Sequence, residues 1–118
     1  MPTYIAGTSG NAAIMAFTRA PGSESVDYGV RVVGVNPGRV ETERQQKHMM
    51  EDAEQKLGDA SRWQEIRAEI SSLLPFKVSG RPSEVADLAT FLASARASYI
   101  SATVVTIDAG QSLRQRTY

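Results

Sequence analysis

The chain contains no cysteine and a single histidine, His48. Disulfides, thiolate nucleophiles, cysteine-held zinc and multi-histidine metal sites are thereby excluded. It also lacks net charge, because thirteen Lys and Arg balance thirteen Asp and Glu. No overall field steers it to nucleic acid or to an anionic membrane, and neither is expected as a partner. No apolar run reaches the roughly 18 residues of a spanning helix. The opening Met1-Pro2-Thr3-Tyr4 lacks the basic and then apolar segments of a signal peptide, so a cytoplasmic location is expected. Repeats of roughly 20–50 residues and low-complexity tracts are missing too.

What is present reads as globular. The chain has 118 residues, of which 42% are apolar and 22% charged. That is one domain or part of one, not a disordered tail. The segment 11–20 is rich in Ala and Met and apolar most of the way round. It predicts a helix buried on several sides, stopped by Pro21-Gly22. Val30-Arg31-Val32-Val33-Gly34-Val35 is short, β-branched and bounded by turn residues, which predicts a strand buried on both faces.

From Thr42 to Leu74 the composition is charged and helical, divided at Gly58-Asp59. The sign-alternating run from Glu41 to Lys56, with His48 in it, predicts a solvated helix face. Trp63, Ile66, Ile70, Leu73 and Leu74 recur at three- and four-residue spacings, an amphipathic face. Pro82 suits the first turn of a further helix, whose apolar stripe is Val85, Leu88, Ala89 and Leu92. Val104-Val105-Thr106-Ile107 predicts a second strand, closed by Asp108-Ala109-Gly110. A loose polar tail is expected from Gln111 onwards.

The alternation of elements predicts an α/β chain with parallel strands joined by a helical crossover. Two parallel strands make a poor sheet alone, so the chain is expected to be incomplete or to lean on a partner.

Three groups of residues resemble the short-chain dehydrogenase/reductase family. The first is Asn11-Ala12-Ala13-Ile14 through Thr18, then Gly29-Val30-Arg31-Val32-Val33-Gly34-Val35-Asn36-Pro37-Gly38-Arg39-Val40-Glu41-Thr42. The second is Gly80-Arg81-Pro82-Ser83-Glu84-Val85-Ala86 through Phe91-Leu92-Ala93-Ser94. The third is Tyr99-Ile100-Ser101-Ala102 with Ile107-Asp108-Ala109-Gly110. The resemblance covers nearly the whole chain and is to the C-terminal half of that family. It implies half of a Rossmann-like doubly wound parallel sheet: two main parallel strands, flanking helices, and a single partial domain over 1–118. It also implies that 43–75 is a helical substrate lid, in which Met49, Met50 and Trp63 either line a substrate pocket or serve as ordinary packing.

The family reaction moves hydride between NAD or NADP and a carbonyl or alcohol. By resemblance, Pro37, Gly38, Val40 and Thr42 are cofactor-binding. Backbone groups near Val40 would meet the nicotinamide carboxamide, and the Thr42 hydroxyl a phosphate. The family's acid–base tyrosine and its lysine share a helix face at i, i+4 spacing. Here the matching positions hold Gly7 and Asn11. Tyr4 and Asn11 are then the catalytic candidates, although Asn11 carries no charge to lower a phenol pKa. Ser9 is not the family's serine, and Gly7-Thr8-Ser9-Gly10 follows no strand, so it is not a phosphate loop.

Two functions stay open. One is an oxidoreductase acting on a small carbonyl or alcohol, represented here by a portion that is inactive alone. The other is a non-catalytic module that forms homo-oligomers or joins a missing N-terminal half.

Overall fold

The computed structural model describes residues 4–114. The element order is α1 (Ile5–Glu24), β1 (Val33–Pro37), α2 (Glu43–Leu57), α3 (Trp63–Leu73), α4 (Pro82–Ala93) and β2 (Thr103–Ile107), with short 3-10 turns between them. β1 and β2 pair as a two-stranded parallel sheet with flanking helices, the expected α/β class. The chain forms two compact units, one of Met1–Asn36 and Leu88–Thr106, the other of Pro37–Asp87 and Ile107–Tyr118.

In the first unit, α1 begins at Ile5 rather than Asn11 and runs through Pro21 to Glu24. Pro21 sits in the last turn, where its missing N–H forfeits one bond, while its carbonyl still accepts from the Ser25 N–H. Gly22 does not break the helix; it lets it approach a neighbour. A Cβ on Gly22 would lie 2.8 Å from the Ala102 Cα. α1 is also less buried than its composition predicts. Thr18 and Gly22 are its buried residues, whereas Ile5, Ile14 and Phe17 are exposed.

β1 starts three residues later than the β-branched run. Val30 N–H donates to Ser25 O and Val32 N–H to the Ser101 hydroxyl, so both donors are used before the ladder begins. The strand is half-buried rather than buried on both faces. Arg31 is a fastener. Its Nη1 donates to Leu92 O and Ala97 O, each at 2.8 Å, and its Nη2 to Ser94 O at 3.3 Å. These carbonyls belong to the end of α4 and the turn after it, groups that a helix C-terminus leaves without partners.

In the second unit, local chemistry sets the helix ends. The Thr42 Oγ1 accepts from Gln45 N–H at 3.3 Å, an N-cap for α2. Gly58 ends α2 in the left-handed region at φ 71°. Asp59 accepts from Ser61 N–H and opens the turn into α3. The core here is Met49, Ala53 and Ile66, packed by Leu57, Trp63 and Ile70. The amphipathic face of α3 is as expected at Trp63, Ile66 and Ile70, but Leu73 is exposed. α4 opens at Pro82, as its sequence predicts. Gln111–Leu113 forms a 3-10 turn in place of the loose tail expected there, and 115–118 lie outside the described residues.

Candidate functional site

The second unit gathers Pro37, Gly38, Val40 and Thr42 after the end of β1. Pro37 is exposed and closes the strand. Gly38 N–H donates to Ile107 O at 2.9 Å, and a Cβ on Gly38 would fall 2.6 Å from the Asp108 Cβ. Only glycine fits that approach without a shift of backbone. Asp108 is itself fixed, accepting from Gly110 N–H at 2.8 Å and Ser112 N–H at 2.7 Å. Hydrogen bonding from Ser112, then from the Gly110 and Gln111 backbone, holds its carboxyl below the ordinary 3.8.

Val40 pairs with Gly80 in an isolated parallel bridge. Gly80 N–H donates to Arg39 O at 2.9 Å and Glu41 N–H to Gly80 O at 2.8 Å. In this pattern the flanking residues make the bonds. Val40's own N–H and C=O point to the opposite edge, and neither has a backbone partner among the described residues. Thr42 follows at the N-terminus of α2, where helix N–H groups and the helix dipole favour negative charge.

A cavity of about 550 Å³ opens in the same unit, with Val40, Leu74, Phe76, Val78 and Val85 in its apolar wall. Three arginines line it. Arg67 holds Glu41 bidentately, with Nε to Oε1 at 2.8 Å and Nη2 to Oε2 at 3.0 Å. Arg81 bonds Glu84 through both its backbone N–H and its guanidinium, which lowers the Glu84 carboxyl pKa, the backbone bond contributing most. Arg39, half-buried, has no carboxylate partner among the described residues. Phe76 and Lys77 both have left-handed backbone, at φ 52° and 58°. Two such residues in succession, neither of them glycine, mark a strained turn at the cavity wall.

The arrangement was only partly visible in the sequence. Arg67 and Phe76 belong to none of the motifs, and Arg39 and Glu84 lie inside two of them with nothing in residue type to mark a cavity wall. Of the two uses open to Met49, Met50 and Trp63, packing is the one the structure gives Met49 and Trp63, which belong to the α2–α3 core. Met50 is partly exposed. His48 is exposed and faces Glu51 at 3.0 Å, on the solvated face expected for it.

Tyr4 and Asn11 belong to the first unit. Gly7 and Asn11 share one face of α1, and Tyr4 is the residue just before the helix. The Tyr4 ring lies over Gly7: a Cβ there would fall 2.1 Å from its Cζ and 2.5 Å from its hydroxyl. The phenol therefore fills the space a side chain at position 7 would take. Asn11 is exposed on α1. Gly7-Thr8-Ser9-Gly10 lies inside the helix and is no phosphate loop.

The family profile described as enoyl-(acyl carrier protein) reductase matches residues 1–112. The chain belongs to the short-chain dehydrogenase/reductase family. Among curated members it is 36% identical to sorbitol-6-phosphate 2-dehydrogenase of Klebsiella pneumoniae over 101 residues, 86% of this chain and 38% of that protein. It is 35% identical to levodione reductase of Leifsonia aquatica over 99 residues, 84% of this chain and 35% of that protein. The chain thus spans little more than a third of the length of these short-chain dehydrogenase/reductase relatives. Among solved structures, L-sorbose reductase of Gluconobacter frateurii, complexed with NADPH and L-sorbose, superposes with a TM-score of 0.78 at 28% identity. That match covers 88% of this chain and 39% of the reductase. A short-chain dehydrogenase family protein of Francisella tularensis shares the fold, with a TM-score of 0.83 at 24% identity over 93% of this chain and 44% of its own.

Proposed function

We propose that this chain supplies the nicotinamide-side part of an NAD(P)-dependent oxidoreductase acting on a small carbonyl or alcohol. The cofactor, NAD or NADP, supplies the hydride chemistry when bound. The observation that carries the reading is the unpaired backbone edge of Val40. A primary carboxamide has one acceptor and two donors, and an adjacent backbone N–H and C=O match it as a strand would. Pro37 and Gly38 set that edge, because Gly38 is locked against Asp108. Thr42, at the head of α2, offers a hydroxyl to a phosphate. The helical segment 43–75 serves as the substrate lid.

Tyr4 is the chain's candidate for holding a proton, at its phenolic oxygen. Asn11 offers hydrogen bonds but no positive charge to stabilise a phenolate. Turnover by this portion alone is expected to be negligible. The test is titration with reduced nicotinamide mononucleotide, followed by amide NMR. Shifts confined to Val40 and the first turn of α2 are expected. Their absence at saturating probe would overturn the assignment.

A second reading is favoured by one observation, the exposed apolar residues of α1. Ile5 is 71%, Ile14 64% and Phe17 71% exposed. Residues of this kind on one helix mark an association surface, which supports a homo-oligomer or a partner segment. On this reading the chain is a non-catalytic association module.

A further inference from the structure

We propose that the cavity of the second unit binds a small amphiphilic organic anion, a carboxylate with a short apolar body, with its head on Arg39. This rests on the proposed function, because the cavity shares Val40 with the nicotinamide edge and Arg67 and Leu74 with the lid segment, but its test reads occupancy of the cavity by an anion and not binding of the nicotinamide. Three observations carry it.

The first is charge. The cavity's carboxylates are already engaged: Glu41 by Arg67, Glu84 by Arg81, and Asp108 by the N–H groups of Gly110 and Ser112. Arg39 is a half-buried residue with no carboxylate within ion-pair distance among the described residues. A guanidinium that no carboxylate holds keeps its planar fork available, and that fork matches a carboxylate's two oxygens. The second is the wall. Leu74, Val78 and Val85 give the cavity an apolar side, which a fully polar anion would leave unused. The third is Phe76. It lines the cavity, is 83% exposed, and is held in left-handed backbone together with Lys77. Such a conformation persists only where its surroundings impose it. The turn presents an aromatic ring beside the cavity where an apolar chain can cover it. The volume, about 550 Å³, lies within the usual range for small-ligand sites.

The test is calorimetric titration of the chain with hexanoate, hexanol and hexylammonium at neutral pH. Hexanoate is expected to bind at least tenfold more tightly than hexanol, and hexylammonium not at all. Arg39→Gln is expected to weaken hexanoate at least tenfold and leave hexanol unchanged. Phe76→Ala is expected to weaken both. Arg96→Gln, at an exposed position in the first unit and outside the cavity lining, is expected to bind hexanoate as the parent does. Equal binding of the three probes, no binding of hexanoate, or hexanoate binding that survives Arg39→Gln would each overturn the proposal. If Arg39→Gln does not fold, the comparison of the three probes on the unaltered chain decides.

Discussion

At the scale of single residues, Gly38 and Asp108 define how tightly the candidate site is built. A methyl group at position 38 meets the Asp108 backbone, with the Cα at 2.9 Å, so Gly38→Ala forces one of two backbones to move. Overpacking of this kind costs about 1–3 kcal/mol. The expected outcome is a lowered melting temperature, together with loss of the amide shifts proposed for nicotinamide mononucleotide at Val40. Asp108 gives a pH dependence. Its folded carboxyl titrates below the ordinary 3.8, chiefly through the bonds from Ser112. A depressed folded pKa means that the ionised form is favoured by folding. The resulting stability is fully present above the unfolded pKa and is lost as pH falls through the folded one. Melting curves between about pH 5 and pH 2 should show this loss, and Asp108→Asn should show less of it. A parallel fall in both proteins would mean that the hydrogen bonds at Asp108 contribute nothing to acid stability. Glu84, Glu65 and Asp59 shift the same way, so the difference between parent and variant is the quantity to read.

At the scale of elements, most boundaries follow from side-chain chemistry that a sequence displays. Thr42 as N-cap, Gly58 as left-handed stop, Asp59 as the next cap and Pro82 as first helical residue all sit where residue type alone places them. The errors share a cause: long-range partners override local preference. Pro21 does not end α1 because the helix is anchored beyond it, where Ser101 Oγ donates to Gly22 O at 3.1 Å. Val30 and Val32 do not join β1 because other partners take their N–H groups. Arg31 shows the same principle at full strength, since its carbonyl partners lie 61 to 69 residues away. Arg31→Lys keeps the charge but loses the planar fork that reaches several carbonyls at once. A loss of about 1–3 kcal/mol is expected from urea unfolding, and no loss would mean that the contacts are incidental. In the second unit, Met49→Ala removes a buried side chain from the α2–α3 core and should cost about 2–5 kcal/mol. The same unfolding measurement checks it.

At the scale of the whole molecule, the sequence carried the fold class and the loop after β1, and it carried the cavity poorly. The order of motifs reveals a strand, a turn and a capped helix because each is encoded within a few residues. The cavity depends on Arg39, Phe76 and Glu84, which meet only through folding, and on a left-handed turn at Phe76 and Lys77 that no glycine announces. The helix α1 presents the converse case. Its apolar composition reads as a buried helix, yet Ile5, Ile14 and Phe17 are exposed in this chain. Burial of one such side chain is worth roughly 1.5–3 kcal/mol, so a partner surface that covers several of them gains substantially. Sedimentation velocity across a concentration series is expected to show reversible association. Phe17→Glu should suppress it, because a carboxylate cannot enter an apolar contact without a partner. Arg19→Glu, exposed on α1 and two residues from Phe17, a spacing that puts it on a different face of the helix, tests charge alone and should leave association intact. Association that persists in Phe17→Glu would move the contact off α1, and a single species at every concentration would remove the second reading of the chain's function.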